Sequence, residues 1–320
     1  MNLSDKIPLV SVILCVFNGE NQVSKAIDDI LAQTYENFEL IISDDASTDR
    51  TAKILENYRR DTRVRIYRHP KNLGFVANKN FAISMANGEL ITQQDHDDRS
   101  DKTRLKRQVD ALTETGMLIV ACGVRRLSQN GNVVGCMSAG QDMVLDSMPK
   151  GDLPFFFAPI MFNQAIWAQH GPLNEYFTNC FGEDLYFISC VLRTHPIAII
   201  SDCLYDYVDT PASVTSRLLT KRAMTLPKIL PMLLRQNEEF GTNDLEQGCL
   251  QLLADKEKKI LLDRQFVAER YRTYAVRAVD HLALLEAVKL IIKAFLSDPF
   301  SRKLPRTSVY LFRRFVGQIK

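Results

Sequence analysis

Gly88-Glu89-Leu90-Ile91-Thr92-Gln93-Gln94-Asp95-His96-Asp97-Asp98 is the stretch from which the architecture of this chain can be read. Leu90-Ile91-Thr92 is a short apolar run that predicts a buried strand, and three carboxylates, Asp95, Asp97 and Asp98, follow close on its end. Neighbouring anions raise each other's pKa, so keeping all three ionised calls for a cation or several donors among them. Carboxylate and water oxygens suit a hard divalent ion, Mg²⁺ or Mn²⁺, and Mg²⁺ takes only one or two protein carboxylates and fills its shell with substrate phosphates. The other reading is a solvated acidic loop with Ser100 capping the next helix, and spacing alone does not separate the two.

Upstream, Leu9 to Phe17 is almost continuously apolar and β-branched, as expected of a strand covered on both faces in a parallel sheet. Asn18-Gly19 breaks it, and Val23, Ala26, Ile27, Ile30 and Leu31 follow at helical spacing. A second strand, Phe38 to Ser43, ends in Asp44-Asp45-Ala46-Ser47-Thr48-Asp49, where Ser47 predicts an N-cap for a helix carrying Ala52, Ile54, Leu55 and Tyr58. Val64 to Tyr67 is a third strand before Lys71-Asn72-Leu73-Gly74, and a helix from Phe75 is expected to close at Asn87-Gly88. Alternating strands and helices mean an α/β fold with a right-handed, mostly parallel sheet. Ligands of such sheets bind beyond the carboxyl ends of the strands, so the Asn18, Asp44-Asp45 and Asp95 to Asp98 loops should converge on one crevice.

Downstream, Leu105, Val109 and Leu112 mark a helix and Leu118 to Gly123 a strand, with Asn130-Gly131-Asn132 a hairpin turn before Val133-Val134. Gln141 to Pro154 reads as an irregular loop over the crevice, and Phe155 to Phe162 as a return to the sheet. Phe181-Gly182-Glu183-Asp184 opens a helix with Leu185, Ile188 and Leu192 on its inner face. Strands Ile197 to Ile200 and Leu204 to Val208 close the domain near Arg217.

The 320 residues suit one large domain, or a domain with an appendage, and a formal charge of +2 argues against a general nucleic-acid binder. The seven cysteines are scattered without a Cys-x-x-Cys pair, which predicts reduced thiols in a cytosolic compartment. The polar start, Met1 to Lys6, predicts no secretory signal, and no apolar run is long enough to span a bilayer.

Five separate motifs together resemble a family 2 glycosyltransferase of GT-A fold, over roughly Pro8 to Arg217: Val12-Ile13-Leu14-Cys15-Val16-Phe17-Asn18, Asp44-Asp45-Ala46-Ser47-Thr48-Asp49, Asn72-Leu73-Gly74 with Lys79-Asn80, Asp95-His96-Asp97-Asp98, and Gly182-Glu183-Asp184. The resemblance implies a GT-A catalytic domain over residues 1–217, binding nucleotide sugar and acceptor, and a helical region over 218–320. It implies that Asp45 accepts hydrogen bonds from the nucleotide base with Asp44 and Asn18 nearby. Asp95 would lie against the ribose and the metal shell, Asp97 would ligate Mn²⁺ or Mg²⁺, Lys79 would sit near the diphosphate, and Asp184 would be the catalytic base. The activity implied is an inverting, non-processive transfer of one sugar to a glycan or lipid-linked acceptor, in bacterial cell-surface polysaccharide or glycolipid synthesis. Three positions depart from the family pattern: Cys15 where proline or threonine is common, Lys79 where arginine is, and Val208 where the strand often ends in arginine. Lysine keeps the charge and loses bidentate phosphate recognition. No Gln-x-x-Arg-Trp follows Asp184, which disfavours a processive synthase. His96 fills a variable position, and Trp167 is open to two readings, stacking on an acceptor sugar or core packing.

From about Leu218 the pattern is helical. Over His281 to Ser297 the polar positions Glu286, Lys289, Lys293 and Ser297 form one narrow stripe. After Asp298 there is no acidic residue, and Arg302, Lys303, Arg306, Arg313, Arg314 and Lys320 interleave with Tyr310, Leu311, Phe312 and Phe315. Such a tail suits peripheral attachment to anionic lipid on the cytoplasmic face of a membrane; the other reading is a helix pair packed on the catalytic domain with a solvated basic face. Two further function classes are a catalytically silent nucleotide- or glycan-binding module and a metal-dependent nucleotidyltransferase or phosphohydrolase. A nucleotidyltransferase calls for a Gly-rich basic first loop, whereas Phe17-Asn18-Gly19-Glu20 has one glycine and no basic residue. A Rossmann dehydrogenase calls for a Gly-x-Gly-x-x-Gly that is absent.

Overall fold

The computed structural model describes residues 7–128, 130–149, 153, 155–208, 219–280 and 283–318. The chain divides into two compact units, residues 1–178 with 183–209, and residues 179–182 with 210–320. The boundary expected between 217 and 218 falls outside the described residues.

In the first unit β1 (Val10–Val16), α1 (Val23–Leu31), β2 (Phe38–Asp44), α2 (Thr51–Leu55), β3 (Val64–Arg68), α3 (Phe75–Ser84) and β4 (Leu90–Gln93) alternate as expected. They are followed by β5 (Arg99–Ser100), α4 (Arg104–Thr115), β6 (Ile119–Leu127), β7 (Val133–Met137), β8 (Met143–Leu145), β9 (Met161–Asn163), α5 (Gln164–His170), α6 (Glu183–Val191) and β10 (Ile197–Val208). All the strands join one sheet in the order β3-β2-β1-β4-β9-β6-β10-β5, with β7 beside β6 and β8 beside β10. β1 pairs in parallel with both β2 and β4, and β2 with β3, so three strands end side by side at Val16, Asp44 and Gln93.

The two-sided burial of this sheet explains the continuous apolar runs. Val10, Val12, Leu14 and Val16 pack with Ile27 and Ile30 of α1 and Leu105 and Leu112 of α4. Ile13, on the other face, packs with Val76 and Ile83 of α3 and Phe187 and Ile188 of α6. Each such side chain contributes about 1.5–3 kcal/mol through burial, and the buried Ser11 of the same strand is satisfied by donating to Glu39 Oε1 at 2.6 Å. Trp167 is half-buried and packs one side against Phe162 and Phe187 on the second face, at ring-centroid distances of 6.3 and 5.8 Å.

Several local expectations are corrected. α3 ends at Ser84 with Met85 as its right-handed C-cap, so Asn87-Gly88 is not the cap. Gly88 is required for a different reason: a Cβ there would stand 2.6 Å from the Leu9 carbonyl oxygen. Ser47 does not cap α2; its hydroxyl accepts from the Asn18 amide at 2.9 Å. Ser100 likewise caps nothing and donates to Gln94 Oε1 at 2.6 Å. Within Gln141 to Pro154, Met143–Leu145 pairs antiparallel with β10, and Pro154 lies outside the described residues. The strand expected over Phe155 to Phe162 is confined to Met161–Asn163, and the two closing strands are one, with register shifts around Cys203. Cys136 on β7 and Cys203 on β10 meet sulfur to sulfur, whereas Cys15, Cys122, Cys180, Cys190 and Cys249 are free thiols.

The second unit is built, among the described residues, of α7 (Lys221–Phe240), α8 (Leu250–Leu262), α9 (Arg264–Asp280), α10 (Leu284–Ser297) and α11 (Leu304–Gln318). Thr220 caps α7 by accepting from the Ala223 amide at 3.1 Å, and Gly241, at φ +72°, ends it in the left-handed conformation. Tyr274, Ala275, Ala278 and Val279 of α9 pack on Ala287 and Leu290 of α10. No helix among the described residues is long and apolar enough to cross a membrane.

Candidate active site

The loops after β1 and β2 are stitched together by side chains that answer backbone amides. Asn18 sits at φ +53°, and its Oδ1 accepts from the Thr48 amide at 2.8 Å. The Gly19 amide donates to Thr51 Oγ1 at 2.9 Å, and the Glu20 amide to Asp49 Oδ2 at 3.1 Å. Asp44 Oδ1 accepts from the Ser47 amide at 2.9 Å, whereas its Oδ2 is buried with no hydrogen bond and lies 3.4 Å from Arg68 Nε. Asp45 faces the third loop: its two carboxylate oxygens accept from the Leu73 and Gly74 amides at 2.6 and 3.0 Å, and Asn72 Nδ2 donates to its carbonyl at 3.1 Å. The Asp44-Asp45 and Asn72-Leu73-Gly74 motifs are thus one piece of structure.

Beyond β4 the carboxylates take different surroundings. Asp98 is buried, accepts from the Val208 amide at 2.9 Å and is hydrogen-bonded by Tyr205. Burial, with the charges of Asp95 and Asp97 beside it, holds its carboxyl well above the usual range. Asp95 and Asp97 are half-buried, and the Asp95 amide donates to the Tyr205 hydroxyl at 3.1 Å. Arg104, fully buried, braces the loop from behind by donating to Thr92 Oγ1 and the Gln93 carbonyl at 3.1 and 3.2 Å. His96 lies over Gly19, where a Cβ would stand 2.6 Å from its ring.

Lys79, on α3, is 4 % exposed, and its ammonium lies 4.1 Å from the Phe75 ring centroid. Among the described residues no hydrogen bond or ion pair reaches it. Its charge is felt by Cys15, Glu183 and Asp184, and all three also feel Asp95. Glu183 and Asp184 open α6 just after Gly182, which stands at φ +94°. Burial raises Asp184, an effect opposed by the Leu185 amide, which donates to its Oδ1 at 2.7 Å, and by Lys79. Burial and then the Asp184 charge push Glu183 up to about 7, and its Oε2 is buried without a hydrogen bond. Burial pushes the Cys15 thiol up to about 12, so it stays protonated and is no nucleophile. The half-buried Asp95 and Asp184, the buried Glu183 and the buried Lys79 ammonium thus share one electrostatic neighbourhood at the carboxyl end of the sheet.

Residues 11–154 match the family model described as glycosyl transferase family 2. Over these residues the chain is similar to glycosyl transferase family 2. The chain is 31 % identical over 144 residues to an uncharacterised glycosyltransferase of Haemophilus influenzae, covering 45 % of this chain and 54 % of that protein. EpsJ of Bacillus subtilis, an uncharacterised glycosyltransferase, is 27 % identical over 219 residues, 65 % of this chain and 63 % of EpsJ. The chain spans about half the length of several curated relatives it matches. S. aureus TarS 1-349, crystallised in complex with UDP, is similar in fold, with a TM-score of 0.55, 18 % identity, and coverage of 89 % of this chain and 88 % of that one. The architecture is accordingly GT-A-like: a mostly parallel sheet flanked by helices, with a helical carboxy-terminal extension.

The acidic loop could hold a divalent ion only if a ligand supplied the rest of its shell. Among the described residues no group of three or more His, Cys, Asp or Glu side chains is arranged to hold an ion alone. Asp95 and Asp97 supply two hard oxygen donors, and their combined charge is strong enough to raise Asp98 beside them. Two carboxylates are what Mg²⁺ takes when phosphates complete its coordination.

Two buried groups were missed in the sequence reading. Glu183 is one, its burial invisible in a helix-start acid. The other is Gln93, whose side-chain nitrogen and oxygen are both buried and unpaired. Gln93 is two residues from Ile91 on β4, which packs on the α3 and α6 face, and a period of two assigns Gln93 to the same face.

Proposed function

We propose that this chain is an inverting glycosyltransferase that moves one sugar from a nucleoside diphosphate sugar to an acceptor hydroxyl. The observation that supports the reading is the shared neighbourhood of Asp95, Lys79 and Asp184, a half-buried carboxylate beside a buried cation at the carboxyl ends of parallel strands.

In this reading the Asn18 loop, Asp44 and Asp45 hold the nucleoside. Asp45 already accepts from two amides, and each of its oxygens keeps a second lone pair for a base N–H. Asp95 faces the ribose and, with Asp97, would hold Mn²⁺ or Mg²⁺. Such an ion acts as a Lewis acid that neutralises charge on the departing diphosphate. Lys79, buried and, among the described residues, without an anionic partner in contact, places a positive charge for the same phosphates. Asp184 takes the proton of the acceptor hydroxyl as its oxygen bonds the anomeric carbon. The bond from that carbon to the diphosphate oxygen breaks on the opposite face, so configuration inverts and no covalent intermediate is needed. The raised affinity of Asp184 for a proton suits a general base, because a base of ordinary carboxylate strength would hold the proton poorly.

The acceptor is proposed to be a glycan or lipid-linked glycan of bacterial cell-surface polysaccharide synthesis. The chain is proposed to work on the cytoplasmic side, in peripheral contact with an anionic membrane. A panel of nucleotide sugars incubated with the protein and Mn²⁺ tests the reading. Metal-dependent release of nucleoside diphosphate from at least one donor is expected, and no release from any donor, with or without glycan acceptors, overturns it.

A further inference from the structure

Helix α10 is apolar nearly all round, and only half of that apolar surface has a partner. Ala287, Leu290 and Ala294 are buried, the first two against α9. Leu285, Val288, Ile292, Phe295 and Leu296 are each more than half exposed, and Phe300, just past the helix, is 92 % exposed. At 100° per residue these five helical positions fall within one arc of about 100°, a continuous stripe along the helix. Isolated exposed apolar residues are ordinary, but a contiguous stripe marks a contact surface.

We propose that this stripe is the part of the chain that enters the interface of an anionic lipid membrane. The inference supplies the surface for the membrane contact proposed above and rests on that reading for the membrane alone, not for sugar transfer. Charge selects the occupant. Lys289 and Lys293 border the stripe on the helix, and Arg302, Lys303 and Arg306 are exposed within ten residues of Leu296. Glu286, the acid on the same helix, pairs with Lys289 at 3.5 Å, so those two charges offset each other and Lys293 is the helix's net positive charge. Beyond Asp298 the sequence holds no acid, and of the three cations Lys303 lies 3.5 Å from Glu269 of α9, which leaves Arg302 and Arg306 as the charges offered to a partner. A second copy docking by the same surface would bring further lysines and arginines to it and little opposite charge, because a two-fold interface presents the same patch from both subunits. Anionic headgroups neutralise those charges instead, while the acyl boundary takes the leucines and phenylalanines. The helix has 14 residues and is about 21 Å long, too short for a hydrocarbon core of about 30 Å, so it lies in the surface rather than across it.

Flotation of the full chain with vesicles, in the absence of any nucleotide sugar, tests this. Vesicles of phosphatidylcholine with phosphatidylglycerol should carry the protein, and binding should fall steeply with added salt. Ile292→Glu with Phe295→Glu should weaken binding at least tenfold, and Arg302→Glu with Arg306→Glu should abolish the preference for phosphatidylglycerol. All four side chains are exposed, so circular dichroism melts should match the unsubstituted protein. If the unsubstituted protein fails to float, the membrane reading itself falls. If it floats and Ile292→Glu with Phe295→Glu floats equally well, the membrane reading survives and this stripe is the wrong surface. A dimer by sedimentation that the same pair of substitutions turns into a monomer, with flotation unchanged, would make a second copy the occupant and overturn the proposal.

Discussion

Asp45 Oδ2 accepts a hydrogen bond from the Gly74 amide at 3.0 Å, and its Oδ1 accepts from Leu73 at 2.6 Å. One carboxylate therefore holds the loop after β3 to the loop after β2, and Gly74 can offer its amide because it stands at φ +87°, where other residues are strained. Asp45→Ala leaves two amides without their charged acceptor and should cost about 2–4 kcal/mol of stability, with Asp45→Asn costing less. Urea denaturation measures both. Equal stability of Asp45→Ala and the native chain would mean that the carboxylate does not hold the loop.

Asp184→Asn removes the proposed proton acceptor and keeps the side-chain volume. Turnover should fall by about 10²–10⁴, while affinity for nucleoside diphosphate changes less than about threefold. Because burial raises Asp184, turnover of the native chain should begin to fall on acidification at a higher pH than an ordinary aspartate would give. A variant with intact turnover would remove Asp184 from the mechanism.

Asp97→Ala should abolish donor turnover and make residual nucleotide binding insensitive to Mn²⁺, as chelation of the metal should do to the native protein. Isothermal titration of nucleoside diphosphate with and without Mn²⁺ separates this from unfolding. Unaltered metal dependence in the variant would place the ion elsewhere.

Burial, with the charge of Asp184, pushes Glu183 up to about 7 from 4.5. Its folded pKa lies above its unfolded one, so the folded chain holds the extra proton through that window and loses stability as pH rises through it. Glu183→Gln removes this slope. The variant should gain on the native chain between pH 5 and pH 8, by up to about 3 kcal/mol. A stability difference that does not change with pH would show that Glu183 titrates normally.

Gln93 carries a buried amide with neither atom paired. Replacing an unsatisfied buried polar group by an apolar one of similar shape is neutral or stabilising, so Gln93→Leu should melt no lower than the native chain. If the amide is retained for the donor sugar, the same substitution should raise the Michaelis constant for donor several-fold. A drop in melting temperature with unchanged kinetics would assign Gln93 a packing role.

Much of this fold was legible in local patterns. The continuous run Val10–Val16 announced a strand buried on both faces, and the helix of Val23, Ala26, Ile27 and Ile30 announced itself by its period. The loops at Asn18, Asp44-Asp45 and Asp95 to Asp98 were placed at one end of the sheet by alternation alone. What local pattern misjudged were small polar residues whose best partner is distant. Ser47 looks like a cap for its own helix and instead serves Asn18, and Gly88 looks like a helix stop and instead lets β1 approach. Short strands failed for a related reason. Met143–Leu145 is a strand only because β10 offers it an edge, and three residues carry no period of their own.

The order of strands, helices and acidic loops, and the apolar helix with its single polar stripe, follow from the amino-acid sequence itself, because hydrophobic period and turn chemistry act between near neighbours. The tertiary structure alone decided that Asp98 answers Val208, that Asp45 clamps Leu73 and Gly74, that Lys79 and Glu183 are buried in one neighbourhood, and that half of α10 faces solvent. Each of these depends on desolvation and on partners tens of residues away along the chain, and the free energy of a charge is set by what surrounds it in space.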